Sequence, residues 1–191
     1  MNWGPTRRAA LGGAVGALTT LALAACGTDT SSRYDTGYVG GDGVTTEIPE
    51  NERAKPLDFT GTTYDGKTFT AADHRGQVIV LNVWYASCPP CRKEAPDLQK
   101  IHEANPDIQF IGVNIRDDAG PARAFEQAHG ITYPSIPDRD ASIMYALRGQ
   151  VAPNAVPSTL VIDTQGRVAA RISGAADPSI LRAMLERVLA E

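Results

Sequence analysis

Two thiols three residues apart, in Cys88-Pro-Pro-Cys91, are the side chains of this sequence best suited to chemistry. At that spacing a pair can close a disulfide, supply half of a zinc site, or pack as inert apolar groups. Zinc would need two further ligands, but there is no second CxxC, and His74, His102 and His129 are widely separated. Inert packing suits poorly a corner that carries Pro89 and Pro90, and a thiol pair outside the cytoplasm tends to oxidise. Thiol–disulfide exchange is the strong reading, in which a thiolate attacks a disulfide sulfur.

The elements that must hold this pair can be read on either side of it. In Val78-Ile-Val-Leu-Asn-Val-Trp84 every residue but Asn82 is apolar, the pattern of a strand buried on both faces. After Cys88 the chain predicts a helix from Pro89 to Ala104. Prolines are tolerated in a first turn because its N–H groups have no partner within the helix, and Arg92-Lys-Glu-Ala95 favours continuation. A thiol at that N-terminus faces unpaired amide protons and the positive end of the helix dipole, which favour thiolate. Cys88 is therefore the expected nucleophile, with Cys91 as its partner.

Beyond this unit, Leu57–Thr60 and Lys67–Thr70 flank the turn signal Tyr64-Asp65-Gly66 and predict a hairpin. Ile108–Ile115 predicts a strand parallel to the first, joined to it through the helix. Helices are expected over Pro121–His129, ended by Gly130, and Asp138–Leu147, ended by Gly149. Thr159–Asp163 and Arg167–Ile172 predict an antiparallel hairpin. Asp177-Pro178 opens a final amphipathic helix with Ile180, Leu181, Met184, Leu185, Val188 and Leu189 on one side.

The chain has 191 residues, 42% hydrophobic and 21% charged, which suits one globular domain with an appendage. Its formal charge of −4, with no basic block, disfavours a nucleic-acid partner. Thr6-Arg7-Arg8 followed by the apolar run Ala9–Ala25 has the arrangement of an export signal over residues 1–25. Read as a transmembrane anchor, the run is weakened by Gly12, Gly13, Gly16, Thr19 and Thr20. Leu23-Ala-Ala-Cys26 resembles the lipobox of bacterial lipoproteins, which implies a lipid on Cys26; the paired arginines partly resemble a twin-arginine signal. Residues 26–54 are polar and glycine-rich and are expected to form a flexible tether, leaving a domain over 55–191. The expected location is the extracytoplasmic face of the cell membrane, lipid-anchored.

The sequence from about Lys55 to Glu191 resembles the thioredoxin superfamily, and within it the TlpA-like and ResA-like membrane-tethered thiol–disulfide oxidoreductases. Besides the dithiol, the resemblance rests on Trp84 four residues before Cys88, Pro96 five after Cys91, and Val156-Pro157-Ser-Thr-Leu-Val-Ile. It implies a three-layer α/β/α sandwich with a mixed central sheet, an N-terminal hairpin and a βαβ insertion. It also implies a cis Pro157 whose neighbour Val156, together with Trp84, serves substrate binding. Asn82 stands where many thioredoxin-like sequences have a buried aspartate, and Glu94 matches a glutamate tied to thiol acid–base behaviour, so Glu94 joins Cys88 and Cys91 as a catalytic candidate. Ser87 departs from the tryptophan usual before the first cysteine.

By this resemblance no cofactor is expected. The leading function is a reductant of the haem-attachment cysteines of apocytochrome c, supplied with electrons by a membrane thiol transporter. The alternative is an oxidase or isomerase acting on disulfides of other exported proteins. A peroxidase or a copper-binding lipoprotein suits the spacing less well. Direction depends on redox potential, which runs from roughly −270 mV to about −120 mV among related dithiols.

Overall fold

The computed structural model describes residues 44–152 and 154–191. The export signal and Cys26 lie outside these residues. Eight strands alternate with helices among those described: β1 (Val44–Glu47), β2 (Thr60–Thr62), β3 (Thr68–Thr70), β4 (Ile79–Trp84), α1 (Pro89–Ala104), β5 (Gln109–Asn114), α2 (Ala119–His129), β6 (Ser135–Pro137), α3 (Ser142–Ala146), β7 (Ser158–Ile162), β8 (Val168–Ser173) and α4 (Pro178–Leu189). Six of them form one mixed sheet in the order β1-β8-β7-β4-β5-β6, and β2 and β3 pair separately as the expected hairpin. Strand β4 is central, parallel to β5 and antiparallel to β7. This is the thioredoxin-like sandwich that the resemblance implied.

Alternation along β4 sends neighbouring side chains to opposite layers. Ile79, Leu81 and Val83 meet Phe59 and Phe69 of the hairpin segment and Ile143 and Leu147 around α3. Val78 and Val80 meet Leu98 and Ile101 of α1 and Leu181, Met184 and Leu185 of α4. With both faces covered, all six residues of β4 are buried, and the strand can be nearly all apolar. Helix α4 starts where Pro178 needs no N–H partner and the Asp177 carboxylate accepts from Ser179 N and Ile180 N. Such a cap is worth about 1 kcal/mol. Gly130 ends α2 in the left-handed region, at φ 68°.

Three features differ from the sequence-based expectation. Strand β1 pairs antiparallel with β8, from Val44 opposite Ser173 to Glu47 opposite Ala170, so the ordered domain starts well before Lys55. Arg53 also belongs to it, ion-paired to Asp163 at 2.9 Å with both side chains almost wholly buried. The tether expected to run to residue 54 thus gives up at least residues 44–54 to the fold. Its polar composition misleads because an edge strand needs only backbone pairing. The expected helix over Asp138–Leu147 begins only at Ser142, because the Asp138 carboxylate accepts from Ile143 N and Met144 N and holds the preceding residues as a cap. Finally, β6 extends the sheet at a segment with no strand-length apolar run.

Candidate active site

Strand β4 delivers the chain to α1 at the dithiol. Cys88 is the N-cap of α1, and it is joined to Cys91 by a disulfide with an S–S distance of 2.05 Å. The Cys91 N–H donates to Cys88 Sγ at 3.2 Å, so the first sulfur receives one of the amide protons that a helix leaves free at its start. Both cysteines are 1% exposed, packed with Trp84, Ala95, Ala122 and Phe125 and flanked by Tyr64, Tyr85 and Val156. Ser87 and Pro89 on either side of Cys88 are exposed. The Val156–Pro157 bond is cis, as the resemblance implied, and the half-buried Val156 packs against the cluster that holds the sulfurs.

Trp84 does not lie where a substrate-binding residue was expected. It is 3% exposed and its ring packs on Phe125 of α2 at 4.5 Å between centroids. As the last residue of β4, it shares the face of Val80 and Asn82, which turns it under the helices. It supports the dithiol from beneath.

Glu94, on the turn of α1 after Cys91, is 3% exposed. Asn82 Nδ2 donates to its Oε1 at 2.9 Å and to Thr159 Oγ1 at 3.1 Å, and Ala176 N donates to its Oε2 at 2.7 Å. Burial pushes this carboxyl up to about 7, against the pull of the Ala176 and Asn82 hydrogen bonds. A groove of about 280 Å³, lined among others by Lys93, Asp97, Ala176 and Asp177, reaches Glu94 from the side of α4. The carboxyl is therefore poised to change protonation near neutrality one turn from the second sulfur.

Sequence reasoning missed Asn114 and Asp117. At the end of β5 the Asn114 side chain accepts from Arg116 N at 3.0 Å and Asp117 N at 2.8 Å, closing a local turn. Asn114 Nδ2 donates to Asp117 Oδ2, and the same oxygen accepts from Ala86 N, two residues before Cys88, at 2.6 Å. The spacing Asn114-x-x-Asp117 at a strand end was the available signal for the turn, but nothing local points to Ala86. Among the described residues no group of three or more His, Cys, Asp or Glu is placed to hold a metal ion. What this arrangement can do is open and close one sulfur–sulfur bond beside a proton acceptor.

The Redoxin family model matches residues 48–189. The soluble secreted antigen MPT53 of Mycobacterium tuberculosis is 36% identical over 87 residues, 46% of this chain and 50% of that protein, so the match spans about half of that relative's length. The thiol:disulfide interchange protein DsbE of Pseudomonas aeruginosa is 30% identical over 143 residues, 73% of this chain and 76% of that protein. Among solved structures, a secreted thiol-disulfide isomerase from Corynebacterium glutamicum superposes with a TM-score of 0.72 at 30% identity, over 81% of this chain and 97% of that one.

Proposed function

The chain belongs to the redoxin family, among its thiol–disulfide oxidoreductases, and we propose that it acts outside the cytoplasm as a membrane-held reductant of exported proteins. Its substrate class is the pair of haem-attachment cysteines of apocytochrome c, oxidised to a disulfide, and its electrons come from a membrane thiol transporter. One observation carries the exchange chemistry: Cys88 caps α1 and its sulfur accepts the Cys91 N–H, so the site is built to favour thiolate on the first sulfur. The direction follows from the resemblance to ResA-like sequences, in the dithiol, Asn82 and Glu94.

In the reducing direction Cys88 thiolate attacks the partner disulfide. A bond forms between Cys88 Sγ and one partner sulfur, and the other leaves as thiolate and takes a proton. Cys91 then gives its proton to Glu94 and attacks Cys88 Sγ, which closes the Cys88–Cys91 bond and releases the second partner sulfur. Two electrons pass from the pair to the partner. Val156 and Pro157 present the surface on which the partner's cysteine segment lies in extended form. Residues 1–25 direct export, Cys26 carries the lipid, and the chain between Cys26 and β1 links lipid to domain.

Trapping tests this directly. Cys91→Ser removes the second attack, so in the native envelope it should hold covalent partners on Cys88, with apocytochrome c among them. Recovery of no covalent partner would remove the cellular role. A second reading, an oxidase or isomerase of exported proteins, draws on the C. glutamicum protein, which is named a thiol-disulfide isomerase. Equilibration of the pair with glutathione separates the two readings, since a potential near about −120 mV would end the reductant.

A further inference from the structure

The dithiol is gripped from outside its own strand and helix. The turn that precedes Cys88 is closed by a hydrogen bond from Cys88 N to Tyr85 O at 3.2 Å. Within that turn the Ala86 N–H donates to Asp117 Oδ2 at 2.6 Å, the shortest of the contacts that hold it. Asp117 is itself fixed: Asn114, wholly buried at the end of β5, donates to the same carboxylate oxygen at 2.9 Å and accepts from Asp117 N at 2.8 Å. A third contact reaches this loop from the hairpin. The Tyr64 hydroxyl donates to Asp117 O at 2.8 Å, while Arg123 of α2 donates to Tyr64 O at 2.6 Å. On the solvent side the Arg116 guanidinium lies 4.0 Å from the centre of the Tyr85 ring. Hairpin, β5–α2 loop and reactive turn are thus joined in one chain of hydrogen bonds.

We propose that Asp117 is a positioning residue for the dithiol: by accepting the Ala86 N–H it sets the turn Tyr85–Cys88 and with it the place of Cys88 Sγ over the free amides of α1. The benefit those amides offer a thiolate depends on direction and distance. An N–H on sulfur at 3.2 Å loses much of its value if the preceding turn relaxes, since hydrogen bonds weaken steeply once bent. The carboxylate also carries charge, which by itself would oppose a thiolate nearby. Position and charge therefore act with opposite sign, and a pair of variants can separate them. In Asp117→Asn the amide oxygen still accepts from Ala86 N and Asn114 Nδ2, but the charge is gone. In Asp117→Ala both are gone.

The test uses the full mature chain, purified and reduced, with two readouts: the pH dependence of Cys88 alkylation by iodoacetamide, and the glutathione equilibrium of the Cys88–Cys91 pair. Asp117→Ala is expected to move the alkylation midpoint to higher pH and the equilibrium toward the disulfide by about tenfold, the order expected for one lost charge-assisted hydrogen bond. Asp117→Asn, which keeps the acceptor for Ala86 N and loses only the opposing charge, is expected to show no upward shift: its midpoint stays at the wild-type value or falls below it, and its equilibrium does not move toward the disulfide. A shared shift of both variants to lower midpoint overturns the proposal in favour of simple charge. Wild-type values in Asp117→Ala overturn it too, whatever happens to that variant's melting temperature. Should the alanine variant not fold, Asp117→Ser, whose hydroxyl is too short to reach Ala86 N, takes its place with the same expectations. Both readouts need only the dithiol, so they stand or fall separately from the identity of any cellular partner.

Discussion

Glu94 and Asn82 divide between them a task that one residue type could not do. Asn82 stays neutral at every pH and keeps two donors, which it spends on Glu94 and Thr159. Glu94 keeps the proton, and its burial raises it from an ordinary value near 4.5 to about 7. An acid raised by folding binds more protons in the native state than in the unfolded one between these two values. Stability should therefore fall as pH rises from about 4.5 through about 7, by on the order of 3 kcal/mol, and level off above. Denaturant titrations at pH 5 and pH 8 check this, and Glu94→Gln should flatten the difference. In the mechanism proposed above the same variant removes the acceptor for the Cys91 proton, so decay of the mixed disulfide should slow by about a hundredfold near neutral pH, measured by quenched-flow alkylation. From sequence alone, a solvated carboxylate beside Lys93 was the competing, weaker reading of Glu94. The partner of its second oxygen lies more than eighty residues later, where Ala176, in the segment just before α4, donates its N–H to Glu94 Oε2.

At the level of elements, close approach explains why β5 carries a glycine in its middle. A Cβ on Gly112 would lie 2.5 Å from Ser135 Oγ and 2.7 Å from Trp84 Nε1, so Gly112→Ala must push β6 or the tryptophan beneath the dithiol. A loss of about 1–3 kcal/mol is expected by chemical denaturation, with a change in tryptophan fluorescence before unfolding. The segment before β2 can be tested as well. Arg53 donates to Asp163 and, in a pair of short bonds, to Glu191, fastening the residues after β1 to the turn between β7 and β8 and to the C-terminus. Arg53→Ala should cost about 2 kcal/mol, since Arg167 still serves Asp163. Elements with dense local signals were legible in the sequence: the apolar run of β4, the prolines and cysteines that open α1, and Gly130 at the end of α2. Strand β1 was not, because Val-Thr-Thr-Glu is mostly exposed and its partner lies more than a hundred residues away. The grip of Asp117 on Ala86 was hidden for the same reason, since tertiary contact alone creates it.

Across the whole described domain, strand directions fix which chain positions share an end of the sheet. Trp84 finishes β4 at the dithiol; Val83 lies opposite Ser158, Ser158 opposite Ser173, and Ser173 opposite Val44. Val44 is therefore at the dithiol end. Helix α4 runs the other way, its last turn pairing Arg187 with Glu47, and Glu191 meets Arg53 beside Asp163 at the far end. A bulky folded domain fused directly ahead of Val44 should accordingly slow exchange with protein disulfides several-fold while sparing small disulfides, and the same domain fused after Glu191 should change neither. Stopped-flow assays with insulin and with a small aromatic disulfide measure the difference. A copy held by residues upstream of β1 lets its sulfurs sample a shell close to the point of attachment, whereas holding it by Glu191 would move that shell outward by the length of β4, roughly 20 Å. Effective concentration falls steeply with such a displacement, so under the proposed anchoring the direction of one four-residue edge strand would favour encounters with neighbours fixed to the same surface over those diffusing freely.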